Sequence, residues 1–174
     1  MRVATTAFVL LTAACFGGVC VAEGRASTEE ERQTFLKGTR LHARDPLSDL
    51  AGEFRTWALK WMAEVEDVTV KVNAGVLMSF YGKIPKDYDD KHRLAISSQF
   101  VLACGVYAIE HEKDDPLARN VLALKDSVAV YETLIKDHPE RRTPVMDDLK
   151  KRADADTLAG YVKDILTPEK KDVP

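Results

Sequence analysis

Cysteine is scarce in this 174-residue chain, and two of its three copies, Cys15 and Cys20, stand in the first twenty residues. If that segment is lost on export, Cys104 alone remains and no intrachain disulfide can form. A single cysteine among apolar neighbours on a helix reads first as a small buried hydrophobe; a reactive or intermolecular thiol is the other reading. Also missing are Cys-x-x-Cys-His, His-Glu-x-x-His, a glycine-rich phosphate loop and a Gly-x-Ser-x-Gly turn. Their absence removes covalent haem attachment, the common zinc-hydrolase helix, phosphate cradling and the nucleophile elbow from the motifs on offer. No Asn-x-Ser/Thr acceptor occurs. Charge of one sign is lacking too: 25 basic residues stand against 28 acidic ones. The one basic block, Lys150-Lys151-Arg152, is short and flanked by acids, so nucleic acid is not an electrostatic partner.

Beyond the N-terminus there is no membrane-length apolar run. The greasiest stretch, 94–109, has sixteen residues and contains Ser97, Ser98 and Gln99, too short and too polar to span. Convincing strand patterns are absent as well. The alternation Val68-Thr69-Val70-Lys71-Val72 covers only five residues and lies inside a longer helical stripe.

The N-terminal segment has the form of a secretory signal. Arg2 supplies the basic start, residues 3–16 carry no charge, and Cys20-Val21-Ala22 offers small side chains at a cleavage site. Cleavage after Ala22 is the expectation, and it places the mature chain outside the cell or in a periplasm. Loss of Arg2 then takes the net charge from −3 to −4. Two further readings stand beside it. Thr12-Ala13-Ala14-Cys15 resembles a lipobox with Thr where Leu is usual, which would make Cys15 a lipid anchor. Residues 3–22 would also be long enough to span uncleaved.

What remains is rich in helix signals. With 45% hydrophobic residues the chain can bury a core. Ser27 followed by Glu30 reads as a capping box opening a short helix to about Leu41. Asp45-Pro46 reads as the start of a second helix over 46–82, its stripe running Leu50, Phe54, Trp57, Trp61, Val65, Val68, Val72 and Val76. A bend is expected near Asn73-Ala74-Gly75. Asp87 opens a third helix, 88–112, apolar on nearly every side and therefore central. Asp115-Pro116 opens a fourth, 116–137, with the stripe Leu117, Val121, Leu124, Val128, Tyr131 and Ile135. Thr143-Pro144 opens a fifth, 144–166, weakened at Asp154-Ala155-Asp156. The expected fold is all-α: an antiparallel four-helix-type bundle with a short extra N-terminal helix. It forms one domain over 23–167, followed by a charged tail, 168–174.

Function is not legible in this pattern, and three classes fit it. The leading one is a non-catalytic interaction module that docks a protein partner on a helix face. The second is a carrier of a small apolar molecule, in a pocket lined by Trp57, Trp61, Phe100, Tyr107 and Tyr131, with Ser97 and Ser98 as polar handles. The third is a metal or haem site built from histidines at helix ends, His111 and His92 foremost, with His42 and His138 in reach. Their plain alternative is a cation at a helix C-terminus, which suits His42, His111 and His138. No acid stands inside an apolar run where burial would raise its pKa, so catalysis has little support. No cofactor is named by any motif.

Overall fold

The computed structural model describes residues 24–167. The signal segment and the charged tail therefore lie outside the described residues. Those residues form seven α-helices and one 3-10 turn, with no strand among them. The helices are α1 (Glu29–Arg44), α2 (Asp49–Glu64), α3 (Ala74–Tyr81), α4 (Asp90–Glu110), α5 (Pro116–Asp137), α6 (Pro144–Asp154) and α7 (Leu158–Leu166); the 3-10 turn is Pro139–Arg141. The all-α class is the expected one. None of the described helices is long and apolar enough to cross a membrane.

Helix starts are set by short polar side chains, often one to three positions from where the sequence suggests. The capping box of α1 is Thr28 with Glu31, not Ser27 with Glu30. The Ser27 backbone N–H and Oγ instead reach Asp67 at 2.8 and 3.0 Å, tying the chain to a distant loop. Helix α1 runs on to Arg44, and Asp45 closes it by donating its N–H to Leu41. Ser48, not Asp45, caps α2, accepting from the N–H of Ala51. Asp89, not Asp87, caps α4 by accepting from the N–H groups of Lys91 and His92. The expected Asp115 and Thr143 caps stand where the sequence puts them, each before a proline.

The largest correction concerns the helix expected over 46–82. It stops at Glu64, and residues 65–73 run without helix before Asn73 caps α3 through its side chain. Val65 takes extended backbone and pairs with Arg25 as an isolated parallel bridge. The Arg25 N–H donates to the Glu64 carbonyl at 3.1 Å, and Glu66 donates back to Arg25 at 3.0 Å. Both helix and linker bury Val65 and Val68, so spacing alone did not separate them. What decides is the β-branched run Val65–Val72, which loses side-chain freedom in a helix, together with partners that only the fold supplies. The weak point at 154–156 is a full break: Asp156 sits in left-handed backbone at φ 53°, between α6 and α7.

Helix α4 lies between two apolar clusters, which explains its lack of a polar side. One face contributes Ala95, Ile96, Phe100, Ala103 and Cys104 to the larger cluster, shared with α3, α5, α6 and α7. The other places Leu102 with Phe35, Phe54, Ala58 and Trp61 of α1 and α2. Two glycines permit this closeness. A Cβ on Gly38 would stand 2.2 Å from the Phe54 ring, and one on Gly105 would stand 2.5 Å from Phe35. On α5 the buried face is Asn120, Ala123, Leu124, Ser127, Val128, Tyr131 and Leu134. It is rotated from the expected stripe, leaving Leu117, Val121 and Ile135 only partly buried. Tyr131 fixes α6 onto α5: its hydroxyl donates to Asp147 at 2.9 Å and accepts from the Thr143 N–H at 3.0 Å. Burial pushes its phenol up to about 12.

Candidate functional sites

The aromatic residues that the sequence suggests as one pocket are divided by the fold. Trp57 and Trp61 stack one turn apart, with ring centroids 5.9 Å apart, beside Phe35 and Phe54. Phe100 and Tyr131 lie in the other cluster, on the far side of α4. Tyr107 stands at the end of α4, its ring parallel to His111 with centroids 4.0 Å apart. Ser98 is buried, and Ser97 spends its hydroxyl on the Leu94 carbonyl at 3.2 Å. Of the suggested lining, only Trp57 borders an open apolar recess.

That recess is a groove of about 500 Å³ between α1 and α2. Gly38 and Phe54 form its floor, Leu41, Leu50 and Trp57 its apolar walls, and Lys37 and Glu53 stand at its rim. Leu50 is 57% exposed and Leu41 37%, and the groove brings the two together with Trp57. The sequence places Leu50 on the core stripe; the buried face of α2 is instead Ala51, Phe54, Ala58 and Trp61, and Leu50 stands outside it.

The helix-end histidines have four different settings. His42 is fully buried rather than a solvated cation. Burial depresses its pKa, assisted by the nearby Arg55 and opposed by Gln99. His92 is also buried; its Nδ1–H donates to Asp89 at 2.7 Å, while its Nε2 has no hydrogen-bond partner. That contact holds the Asp89 carboxyl down to about 2. His138 meets His92 edge to face at 5.1 Å between ring centroids. His111 caps α4 with Nδ1 3.1 Å from the Tyr107 carbonyl. The two histidines singled out for a metal are thus not partners of each other. Among the described residues, no group of three or more His, Cys, Asp or Glu side chains is placed to hold a metal ion.

A second, polar recess of about 460 Å³ opens where α4 turns into α5. Its walls come from α1 (Arg32), the linker (Asp67 and Lys71), the α4 end (Tyr107 and His111) and the α4–α5 loop with α5 (Asp114 and Arg119). Arg32 pairs with Asp67 at 2.7 Å and Lys71 with Asp114 at 3.2 Å. Asp114 also accepts from Arg119. The Ser27 N–H, aided by Arg32, holds the Asp67 carboxyl down to about 2. Sequence reading found Tyr107 and His111 but missed the charged members. Asp67 and Lys71 become cleft residues because the linker that carries them is not helical. Arg119 did carry a signal: with Asn120 it sits on the face of α5 that continues through Ala123 and Ser127.

One acid also departs from expectation. Asp126 of α5 is half-buried, and burial raises its pKa although Gln99 donates to it at 3.3 Å.

No family model matches this chain, and neither a curated protein nor a solved structure matches it.

Proposed function

We propose that the chain is an exported, non-catalytic binding module that docks a partner protein through the α1–α2 groove. One observation carries this reading: the groove gathers the exposed Leu41 and Leu50 and a half-buried tryptophan into one concave apolar patch, floored by Gly38 and Phe54. Water-exposed aliphatic surface of this kind is retained where something else covers it. The recess runs for about two turns between two helices, the shape that receives the apolar ridge of a third helix. Lys37 and Glu53 at the rim would set orientation by charge. Export is supported by the basic, apolar and small-residue order of residues 2–22.

The test uses a photo-crosslinking amino acid at position 53, on the groove rim, in the producing cell, with Leu50→Lys and Trp57→Ala as groove variants. The expected result is a discrete crosslinked protein that both variants abolish while their unfolding curves stay cooperative. A crosslink that survives both substitutions would reject the groove as the docking site. A low-mass apolar molecule recovered in place of a protein would assign the groove to carriage. N-terminal sequencing of the exported form, expected to begin at Glu23, checks the localisation.

A further inference from the structure

The polar cleft at the α4–α5 turn stands apart from the groove and does not depend on it. We propose that it binds a small dipolar organic molecule, with a carboxylate at one end and a cationic group at the other, of about the size of an amino acid or dipeptide.

The inference starts from Arg119. Its side chain is only 6% exposed, yet it carries five donors and a permanent charge. Asp114 receives Nη1, while Nε has no hydrogen-bond partner. A buried guanidinium with unmet donors is costly unless an acceptor is supplied. Asp114 cannot meet the whole demand, because Lys71 draws on the same carboxylate at 3.2 Å. The buried Arg119 and the exposed Lys71 thus share one acid. A ligand carboxylate would bring the missing acceptors, with the planar match that guanidinium favours.

The rest of the cleft argues against a simple anion. Arg32 is already neutralised by Asp67, itself fixed by the Ser27 backbone. Glu112 lines the mouth and forms no ion pair among the described residues. Counted together, Arg32, Lys71 and Arg119 face Asp67, Glu112 and Asp114, three charges of each sign. The unmet groups are of opposite sign and at different depths, the buried Arg119 Nε and the exposed Glu112, and that pairing fits a molecule that is itself neutral and dipolar. The parallel rings of Tyr107 and His111 give that molecule a flat wall. The volume of about 460 Å³ suits a small ligand and excludes a folded partner.

Backbone amide chemical shifts of the purified protein provide the test. The probes are L-alanyl-L-alanine, acetate, inorganic phosphate and methylammonium, each titrated to about 10 mM, beyond the weak end of specific binding. The expected result is saturable shifts over residues 107–119 with the dipeptide and none of comparable size with the other three. Glu112→Gln, a change at an exposed side chain that leaves the core alone, should weaken the dipeptide about tenfold, the loss of one charged contact. Arg119→Gln should weaken it further. If Arg119→Gln fails to fold, Glu112→Gln and Lys71→Gln still decide. Acetate or phosphate binding as tightly as the dipeptide would overturn the proposal in favour of an anion site. Absence of saturable shifts in the cleft with any probe would overturn it outright, as would a Glu112→Gln variant that binds the dipeptide unchanged.

Discussion

His42 on α1 and Gln99 on α4 meet at 2.7 Å, and that contact fixes the protonation of both helices' polar interior. The Gln99 amide nitrogen donates onward to Asp126 at 3.3 Å, so its oxygen must face His42, and Nδ1 of His42 must carry the proton. Arg55 approaches Nε2 at 3.4 Å, which requires a lone pair there. The imidazole is therefore neutral in the folded state. A chain of four side chains, from Arg55 through His42 and Gln99 to Asp126, joins α2, α1, α4 and α5.

Acid should loosen this arrangement in a defined window. Burial and Arg55 hold the folded pKa of His42 below its unfolded value of about 6.5. In that interval the unfolded chain binds more protons, so the stability due to neutral His42 is complete above about pH 6.5 and is lost as pH falls below it. Asp126 acts in the opposite sense: its raised pKa makes the folded chain take up that proton first, easing its burial at low pH. Subtracting one protein from another isolates the histidine. Urea unfolding from pH 7.5 to 5 should show a smaller acid loss in His42→Asn than in the parent chain, since Asn keeps a donor toward Gln99 but does not titrate. Equal slopes in the two proteins would contradict the assignment.

Gln99→Leu keeps the size of the side chain and removes both of its hydrogen bonds. His42 Nδ1 and one Asp126 oxygen then lose a partner within a largely buried interface. The expected cost is about 2–3 kcal/mol, the range for buried polar groups left unmet. Denaturant midpoints at pH 7 measure it, and a loss below about 0.5 kcal/mol would be that of an ordinary surface change.

Three glycines should respond to alanine in different ways. Helix propensity favours the change by about 1 kcal/mol at each. At Gly160 nothing lies within 4 Å of the added Cβ, so Gly160→Ala should raise stability by about that amount. At Gly38 the methyl would collide with Phe54, and at Gly105 with Phe35 and Met62. Overpacking costs of about 1–3 kcal/mol should outweigh the propensity gain, so both variants should melt below the parent protein.

Cys104 should be chemically silent in the native protein. It is fully buried, and burial lifts its thiol to about 12. In a chain starting at residue 23, a thiol reagent at pH 8 should label nothing until denaturant is added, and then one group. Rapid native labelling would mean that α4 opens readily from α5.

Much of this follows from the chain alone. Apolar residues every three or four positions require helices, and Asp115-Pro116 and Thr143-Pro144 fix two starts because a short acceptor before proline satisfies free N–H groups locally. The all-round greasiness of 94–109 places α4 centrally, since a helix with no wet side must be covered on every side. Other features were beyond local pattern. Val65 and Val68 suit a helix or an extended strap equally, and the choice falls to Arg25 and Ser27, some forty residues earlier. Gln99 reads as a gap in an apolar face until His42 and Asp126 arrive from other helices, and Arg119 becomes a cleft residue only when the linker brings Lys71 to the acid it shares. Periodicity specifies which side of a rod avoids water. Which rods meet, and hence which polar atoms lose water together, is set by packing between distant segments.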